Sequence, residues 1–187
     1  MTVVRLCEAP EAEARLPELA ALLVDAVTNG ASVNFMAGFT TAAAEAFWRS
    51  QLPGLRAGER QLLVAEALGR IVGTAVGTVA PQPNGPHRAE IGKMLVQSSH
   101  RRQGLGRRLL QAAEDTARAT ERTLLLLDTE AGGAGASLYT ACGWTPWGTV
   151  PGHSYTPDGR LADALNFYKV LGPHRTPPLD DEPGTAS

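Results

Sequence analysis

The chain reads as a single α/β domain, with a mixed, mostly antiparallel central sheet of about seven strands flanked by about four helices. Three observations predict this. Apolar residues recur at strand or helix spacing in the order β-α-α-β-β-β-α-β-α-β-β. A run of strands with no helix between them makes an antiparallel meander, and the long helix that follows makes one crossover, which mixes the sheet. The 187 residues, 43% hydrophobic and 19% charged, suit one ordinary globular domain. A doubly wound dinucleotide fold would need repeated βαβ units from the first strand, and they are absent.

The elements follow in order. Val3–Cys7 is a short apolar strand. From Pro10 to about Asn29, residues Leu16, Leu19, Ala20, Leu23 and Val27 keep helical spacing, and Asn29-Gly30 is a C-terminal stop. Thr40 or Thr41 caps a second helix running to about Leu55. Gln61–Glu66 and Ile71–Ala80 are strands joined tightly through Leu68-Gly69-Arg70. Pro81–His87, with Asn84-Gly85, is a turn, and Arg88–Val96 is the next strand. Gly104 to about Thr120 is a helix, Thr123–Asp128 a buried strand and Gly133–Cys142 a short helix. Trp144–Val150 and Ala164–Leu171 are strands joined by a Pro/Gly-rich loop. From Gly172 the chain is Pro-rich, acidic and almost without hydrophobes. That tail, 172–187, is expected to be disordered, leaving 1–171 as the domain.

Seventeen Lys and Arg against nineteen Asp and Glu leave a net charge of −2. With an isoelectric point near 6.1, that balance argues against a general nucleic-acid or anionic-membrane binder. No apolar run approaches the ~20 residues of a membrane span, and the N-terminus lacks a basic stretch followed by an apolar one. Cys7 and Cys142 stand in unlike contexts, with no CxxC or Cys/His cluster to suggest a metal. A cytoplasmic protein with reduced thiols and no metal is the expectation.

The strongest chemical signal is Arg101-Arg102-Gln103-Gly104-Leu105-Gly106-Arg107-Arg108, where a strand hands over to the long helix. Glycines let backbone N–H groups converge on a ligand, and a helix N-terminus adds unpaired donors and about half a positive charge. Together with four arginines, these suit a phosphate or pyrophosphate. A P-loop is excluded because Gly92-Lys93 is followed by Met94. A dinucleotide fingerprint is excluded because Leu109 stands where its third glycine belongs.

The pattern Arg-x-x-Gly-x-Gly after a meander resembles the pyrophosphate loop of the GNAT N-acetyltransferases. Ala136-Ser-Leu-Tyr139-Thr-Ala-Cys-Gly143-Trp144 is similar to that family's Tyr-x-x-x-Gly-Phe signature. A closer resemblance, over about three quarters of the chain, is to the tabtoxin-resistance acetyltransferases. It is carried by Gly30–Met36, Pro83–Gly85, Arg88–Glu90, Leu127–Gly132 and Thr156–Leu161. Those proteins acetylate the amine of a β-lactam amino-acid toxin.

The resemblance implies acetyl-CoA as cosubstrate, held by Arg101, Arg102, Gln103, Gly104, Leu105, Gly106 and Arg107. It also implies that the cofactor arm pairs with Met94, Leu95 and Val96, whose N–H groups would meet the oxyanion if the strand splays there. Strand parity would put Glu90, Met94 and Val96 on one face in the absence of a bulge.

Acetyl transfer to an amine needs a base and a proton for the leaving thiolate. Glu90 and Asp128, on strands that can share a cleft, are candidates for binding an ammonium and taking its proton, with Glu130 ranked third. Tyr139, protonated at neutral pH, is the candidate donor to the thiolate. Cys142 and Cys7 read as small apolar fillers, which favours direct transfer in a ternary complex. The Gly30–Phe39 loop, with Asn34 and Phe35, and the Pro151–Arg160 segment, with Tyr155, would form two walls of the acceptor site. Asp158-Gly159 would make the turn of the last hairpin.

These walls suit a small-molecule amine. Peptide, polyamine or aminoglycoside acetylation, and a non-catalytic acyl-CoA-binding regulatory module, are the rival readings. The resemblance also implies that a homodimer could form through the second helix and the C-terminal hairpin.

Overall fold

A computed structural model describes residues 2–173. Its elements are β1 (Thr2–Cys7), α1 (Ala9–Ala14), α2 (Leu16–Thr28), α3 (Thr41–Arg56), β2 (Arg60–Ala67), β3 (Arg70–Val79) and β4 (Arg88–Val96). A 3-10 turn at Ser98–His100 is followed by α4 (Leu105–Ala119), β5 (Leu124–Glu130), α5 (Ala134–Ala141), β6 (Thr145–Tyr155) and β7 (Leu161–Val170). From residue 174 onward, the segment expected to be disordered lies outside the described residues.

The seven strands form one sheet in the order β1-β2-β3-β4-β5-β7-β6. All neighbours are antiparallel except β4 and β5, the pair joined through the α4 crossover. Helices cover both faces, so β2 and β3 are apolar on both sides. On one face, Leu16, Leu19, Leu23, Trp48 and Leu52 of α2 and α3 pack on Leu62, Val64, Ile71, Val76 and Leu95. On the other, Leu105, Leu109 and Ala113 of α4 pack on Leu63, Ala65, Ala75, Ile91, Leu125 and Leu127. Thr40 caps α3 by accepting from the Ala43 N–H at 3.2 Å.

Two expectations are corrected. The single helix read from Pro10 to Asn29 is two, broken at Arg15, which raises the count to five. Pro17 has no N–H to continue the hydrogen-bond ladder and sits in the first turn of α2 instead. The break turns the Arg15 guanidinium onto Glu11, Glu18 and Glu66, with Arg5 bridging Glu11 and Glu66 from β1. The Pro/Gly-rich loop is also shorter than read. β6 continues to Tyr155, passing Pro151-Gly152 in an irregularity that Asp163 steadies by accepting the Gly152 N–H at 2.8 Å. Pro151 is tolerated because β6 is an edge strand.

Glu114 of α4 is a buried carboxylate that locks the second core. It accepts from Trp144 Nε1 at 3.0 Å and from Lys169 Nζ at 2.8 Å, and Lys169 also donates to the Cys142 carbonyl at 2.8 Å. One carboxylate thus joins α4, β7 and the end of α5. No helix among the described residues is long and apolar enough to cross a membrane.

Removing one partner of a buried ion pair strands the other. Glu114→Ala is therefore expected to lower the unfolding free energy by about 3 kcal/mol, read by urea denaturation. A second expectation concerns acid. Hydrogen bonding from Arg5 holds the Glu11 carboxyl down at about 2, and Arg15 holds Glu18 and Glu66 below the usual carboxylate range. The folded state therefore binds these protons more weakly than the unfolded chain. Their stabilisation is full above about pH 4.5 and is lost as pH falls toward 2. Arg5→Gln should flatten that acid limb of a stability-against-pH curve.

Candidate active site

The site begins with a defect in β4. Val76 of β3 pairs with Gly92 and Thr74 pairs with Leu95, so β4 spends one residue more than its partner. Lys93 takes the strain, at φ 48°, and the buried Thr74 hydroxyl donates to its carbonyl at 2.9 Å. The bulge exchanges the faces of the strand. Ala89 and Ile91 belong to the α4 core, Leu95 belongs to the α2/α3 core, and Met94 and Val96 pack on the α4 side. This corrects the parity expectation: Glu90 faces away from Met94 and Val96.

The same strand parts from β5. They pair only from Arg88↔Leu124 to Glu90↔Leu126, after which each continues without the other, β4 along β3 and β5 along β7. Along Met94, Leu95 and Val96 that edge is left without a strand partner, as an extended arm with amide groups requires, although the Val96 carbonyl accepts from Arg101 Nε.

Beside the opening stand the acids. Leu125 and Leu127 face the α4 core, so Leu126, Asp128 and Glu130 face the other way, with Glu90. Asp128 lies two residues beyond the partner of Glu90, a diagonal neighbour on the same face. Both carboxylates are exposed, and neither makes a hydrogen bond or ion pair among the described residues. Glu130 is occupied by Arg160.

Lys93 also acts on this face. Burial pushes its ammonium pKa down, and Asp128 and then Glu90 pull it back up. Its Nζ lies 5.4 Å from the Phe47 ring centre and 5.9 Å from that of Phe35. In the sequence, Gly92-Lys93-Met94 speaks only against a P-loop. The available signal was the slip in apolar alternation, from Ala89 and Ile91 to Met94 and Val96.

Tyr139 comes from the opposite face. Gly135 seats α5 against β5, where a Cβ would meet Thr129 Oγ1 at 2.5 Å. The Tyr139 ring is buried beside Phe167 and Trp144, with centres 5.7 and 6.1 Å apart. Burial first, then Asp128, pushes its hydroxyl up to about 12. That hydroxyl has no hydrogen-bond partner among the described residues.

The glycine-rich turn has the backbone geometry that suits an anion. Gly104 occupies the N-cap of α4 at φ 77°, a conformation that costs other residues about 1 kcal/mol or more. Arg102 is also left-handed, at φ 62°, which turns successive N–H groups inward. The N–H groups of Leu105, Gly106 and Arg107 find no acceptor among the described residues. Arg102 and Arg107 are exposed around them, while Gln103 Nε2 donates to the Ser99 carbonyl at 3.4 Å and Arg101 Nε folds back on the Val96 carbonyl at 3.2 Å. The residues present fit a pyrophosphate. An unforeseen anchor holds the turn: Asp25 of α2 accepts from the Ser98 N–H at 2.8 Å and its hydroxyl at 2.7 Å.

The two expected acceptor walls do meet. The Ala37 N–H donates to the Pro157 carbonyl at 2.9 Å, beside a cavity of about 550 Å³ lined by Val27, Phe39, Glu130, Pro157, Asp158 and Arg160 among others. Asn34, Phe35 and Tyr155 do not line it. Asn34 is an exposed left-handed turn residue, Phe35 stacks on Phe39 at 4.1 Å, and Tyr155 is largely exposed at the end of β6.

The family described as Acetyltransferase (GNAT) family matches residues 24–144. A ribosomal-protein-alanine N-acetyltransferase from Brucella melitensis is 29% identical, covering 90% of this chain and 99% of its own at a TM-score of 0.74. An N-acetyltransferase from Staphylococcus aureus Mu50 is 20% identical over 92% and 99%, at 0.76. An acetyltransferase from Salmonella typhimurium, solved with its cofactor acetyl-CoA, is 21% identical over 95% and 98%, at 0.76.

Asp25→Ala removes both anchors of the Ser98 turn without touching a ligand. It should weaken coenzyme A binding roughly tenfold by calorimetric titration. Hydrogen exchange of the Ser98 amide should rise in parallel.

Proposed function

The chain belongs to the GNAT acetyltransferase family and is an acetyl-CoA-dependent N-acetyltransferase, and on that premise we propose that its acceptor is the primary amine of a small molecule, acetylated directly in a ternary complex. The observation that carries the small acceptor is the Ala37–Pro157 hydrogen bond. It joins the two walls beside a cavity of about 550 Å³, a volume suited to a small molecule; the cavity reaches β5 at Glu130, two residues beyond Asp128, and is lined by neither Glu90 nor Asp128. The resemblance of the Gly30–Met36 and Thr156–Leu161 loops to the tabtoxin-resistance group supports the same choice.

Bound acetyl-CoA supplies a thioester, whose carbonyl carbon bonds to the amine nitrogen as its bond to sulfur breaks. The uncapped N–H groups of Leu105–Arg107, with Arg101, Arg102, Gln103 and Gly104, hold the pyrophosphate. Met94, Leu95 and Val96 offer backbone groups to the arm and to the negative charge that develops at the carbonyl. Glu90 and Asp128 attract the ammonium and take its proton, directly or through water, which frees the nitrogen lone pair.

Tyr139, with its hydroxyl pushed up to about 12, stays protonated and donates a hydrogen bond toward the departing sulfur. A thiol of ordinary pKa about 8.5 is the stronger acid, so the phenol stabilises the thiolate instead of surrendering its proton to it. The nitrogen sheds its second proton to solvent as the amide forms, and the thiolate takes one from solvent, so the protons balance.

A protein or peptide amine is the second reading, because the Brucella protein is named as a ribosomal-protein-alanine N-acetyltransferase. Thiol release from acetyl-CoA should be tested against amino acids, a β-lactam amino acid, polyamines, aminoglycosides and short peptides. Small amino-acid amines are expected to react best, and Glu90→Gln and Asp128→Asn to lose most of that turnover. Tyr139→Phe should lower kcat about 100-fold and leave the acetyl-CoA KM within about twofold. Preference for peptides would overturn the small acceptor, and acetyl-CoA binding without any turnover would favour the regulatory module.

A further inference from the structure

One charge on the acidic face has the opposite sign and no part in the steps above. Lys93 is fixed at its backbone by the bulge and by the Thr74 hydrogen bond to its carbonyl. Its ammonium sits against two rings, Phe47 of the core helix α3 and Phe35 of the loop between α2 and α3. Aromatic faces attract a cation but cannot accept its three directed N–H bonds. Asp128 and Glu90 act on it electrostatically, yet it forms no hydrogen bond or ion pair among the described residues. A half-buried ammonium held in this way has lost part of its water and gained no oxygen in return.

We propose that Lys93 reads a carboxylate on the acceptor, so that the preferred substrate is a small molecule carrying its amine and a carboxylate a few atoms apart. The amine lodges at Asp128 and Glu90, and the carboxylate supplies the oxygen acceptors that the Lys93 ammonium lacks. A charge-assisted bond to a carboxylate in this partly desolvated place is stronger than one in water. The same fixed cation repels a second positive charge near the acceptor amine, which sets polyamines and aminoglycosides at a disadvantage. Holding the ammonium over Phe47 and Phe35 reduces the side-chain freedom lost on binding. The inference rests on the small-amine reading and goes one step further, to the group beside the amine.

Matched acceptors test it: an amino acid, its methyl ester, and the amine left when its carboxylate is removed, each assayed for kcat/KM by thiol release. In the unaltered protein the free carboxylate should confer a preference of roughly 10- to 100-fold over the other two. In Lys93→Met that ratio should fall to within about threefold, and in Lys93→Arg it should stay above about tenfold. Equal kcat/KM for all three acceptors in the unaltered protein would overturn the assignment, as would an unchanged ratio in Lys93→Met. The first comparison needs no variant, so a failure of Lys93→Met to fold leaves the test intact. Equal turnover of the three acceptors leaves the small-amine reading standing and removes Lys93 alone. Absence of turnover with every small amine removes both.

Discussion

Inserting Lys93 into β4 has mechanical consequences on both sides of the strand. Toward β3 the register slips by one, so that residues after the bulge exchange faces with those before it. Toward β5 the pairing stops after Glu90↔Leu126, and the two strands continue without one another. The opening between them is where an extended arm can lie, and its position follows from where the extra residue falls. A lysine at φ 48° is strained by about 1 kcal/mol or more. The Thr74 hydroxyl, itself fully buried, offsets part of that by satisfying the Lys93 carbonyl at the point where the ladder is broken.

Charge is distributed differently inside and outside this opening. The carboxylates that hold the scaffold are paired: Glu66 and Glu11 with Arg5 and Arg15, and Glu114 with Lys169. Those facing the cleft, Glu90 and Asp128, have no such partner among the described residues. A paired carboxylate has its lone pairs spent and its charge neutralised, so it is a poor ligand for an incoming ammonium. The unpaired acids, the unpaired Lys93 ammonium and the uncapped start of α4 are places where the described residues leave polar capacity unspent, in addition to the buried Arg122 Nε and Thr123 Oγ1. The acids, the ammonium and the start of α4 lie around one end of β4 and β5.

Support for these groups comes from residues that contact no ligand. Asp25 reaches from α2 to the Ser98 turn, so the glycine-rich turn is tied to the helical layer on the opposite face of the sheet from α4. Gly135 allows α5 to settle on Thr129, which sets the depth of Tyr139. The Glu114 network then closes over the end of α5 through the Cys142 carbonyl and Trp144. Position of the glycine-rich turn and position of the tyrosine therefore depend on separate anchors.

Local chemistry was enough to read much of this from the residues alone. Apolar spacing placed all seven strands, because helix and strand periods are properties of neighbouring residues. The Gly104-Leu105-Gly106 turn and its arginines were legible because a glycine at φ 77° before a helix is itself a sequence signal. Nearness of Glu90 to Asp128 was anticipated because it needs only two adjacent strands. The break at Arg15 was missed although Pro17 signals it, since the apolar stripe runs on through both helices.

The rest was decided only in three dimensions. No short window reveals that Thr74 captures the carbonyl of Lys93, that Asp25 holds Ser98, or that Arg160 occupies Glu130. Each joins elements remote in sequence, and each decides which face, or which free charge, a residue finally presents. A bulge exchanges every side chain beyond it, and its placement depends on a partner strand that the sequence of β4 does not contain.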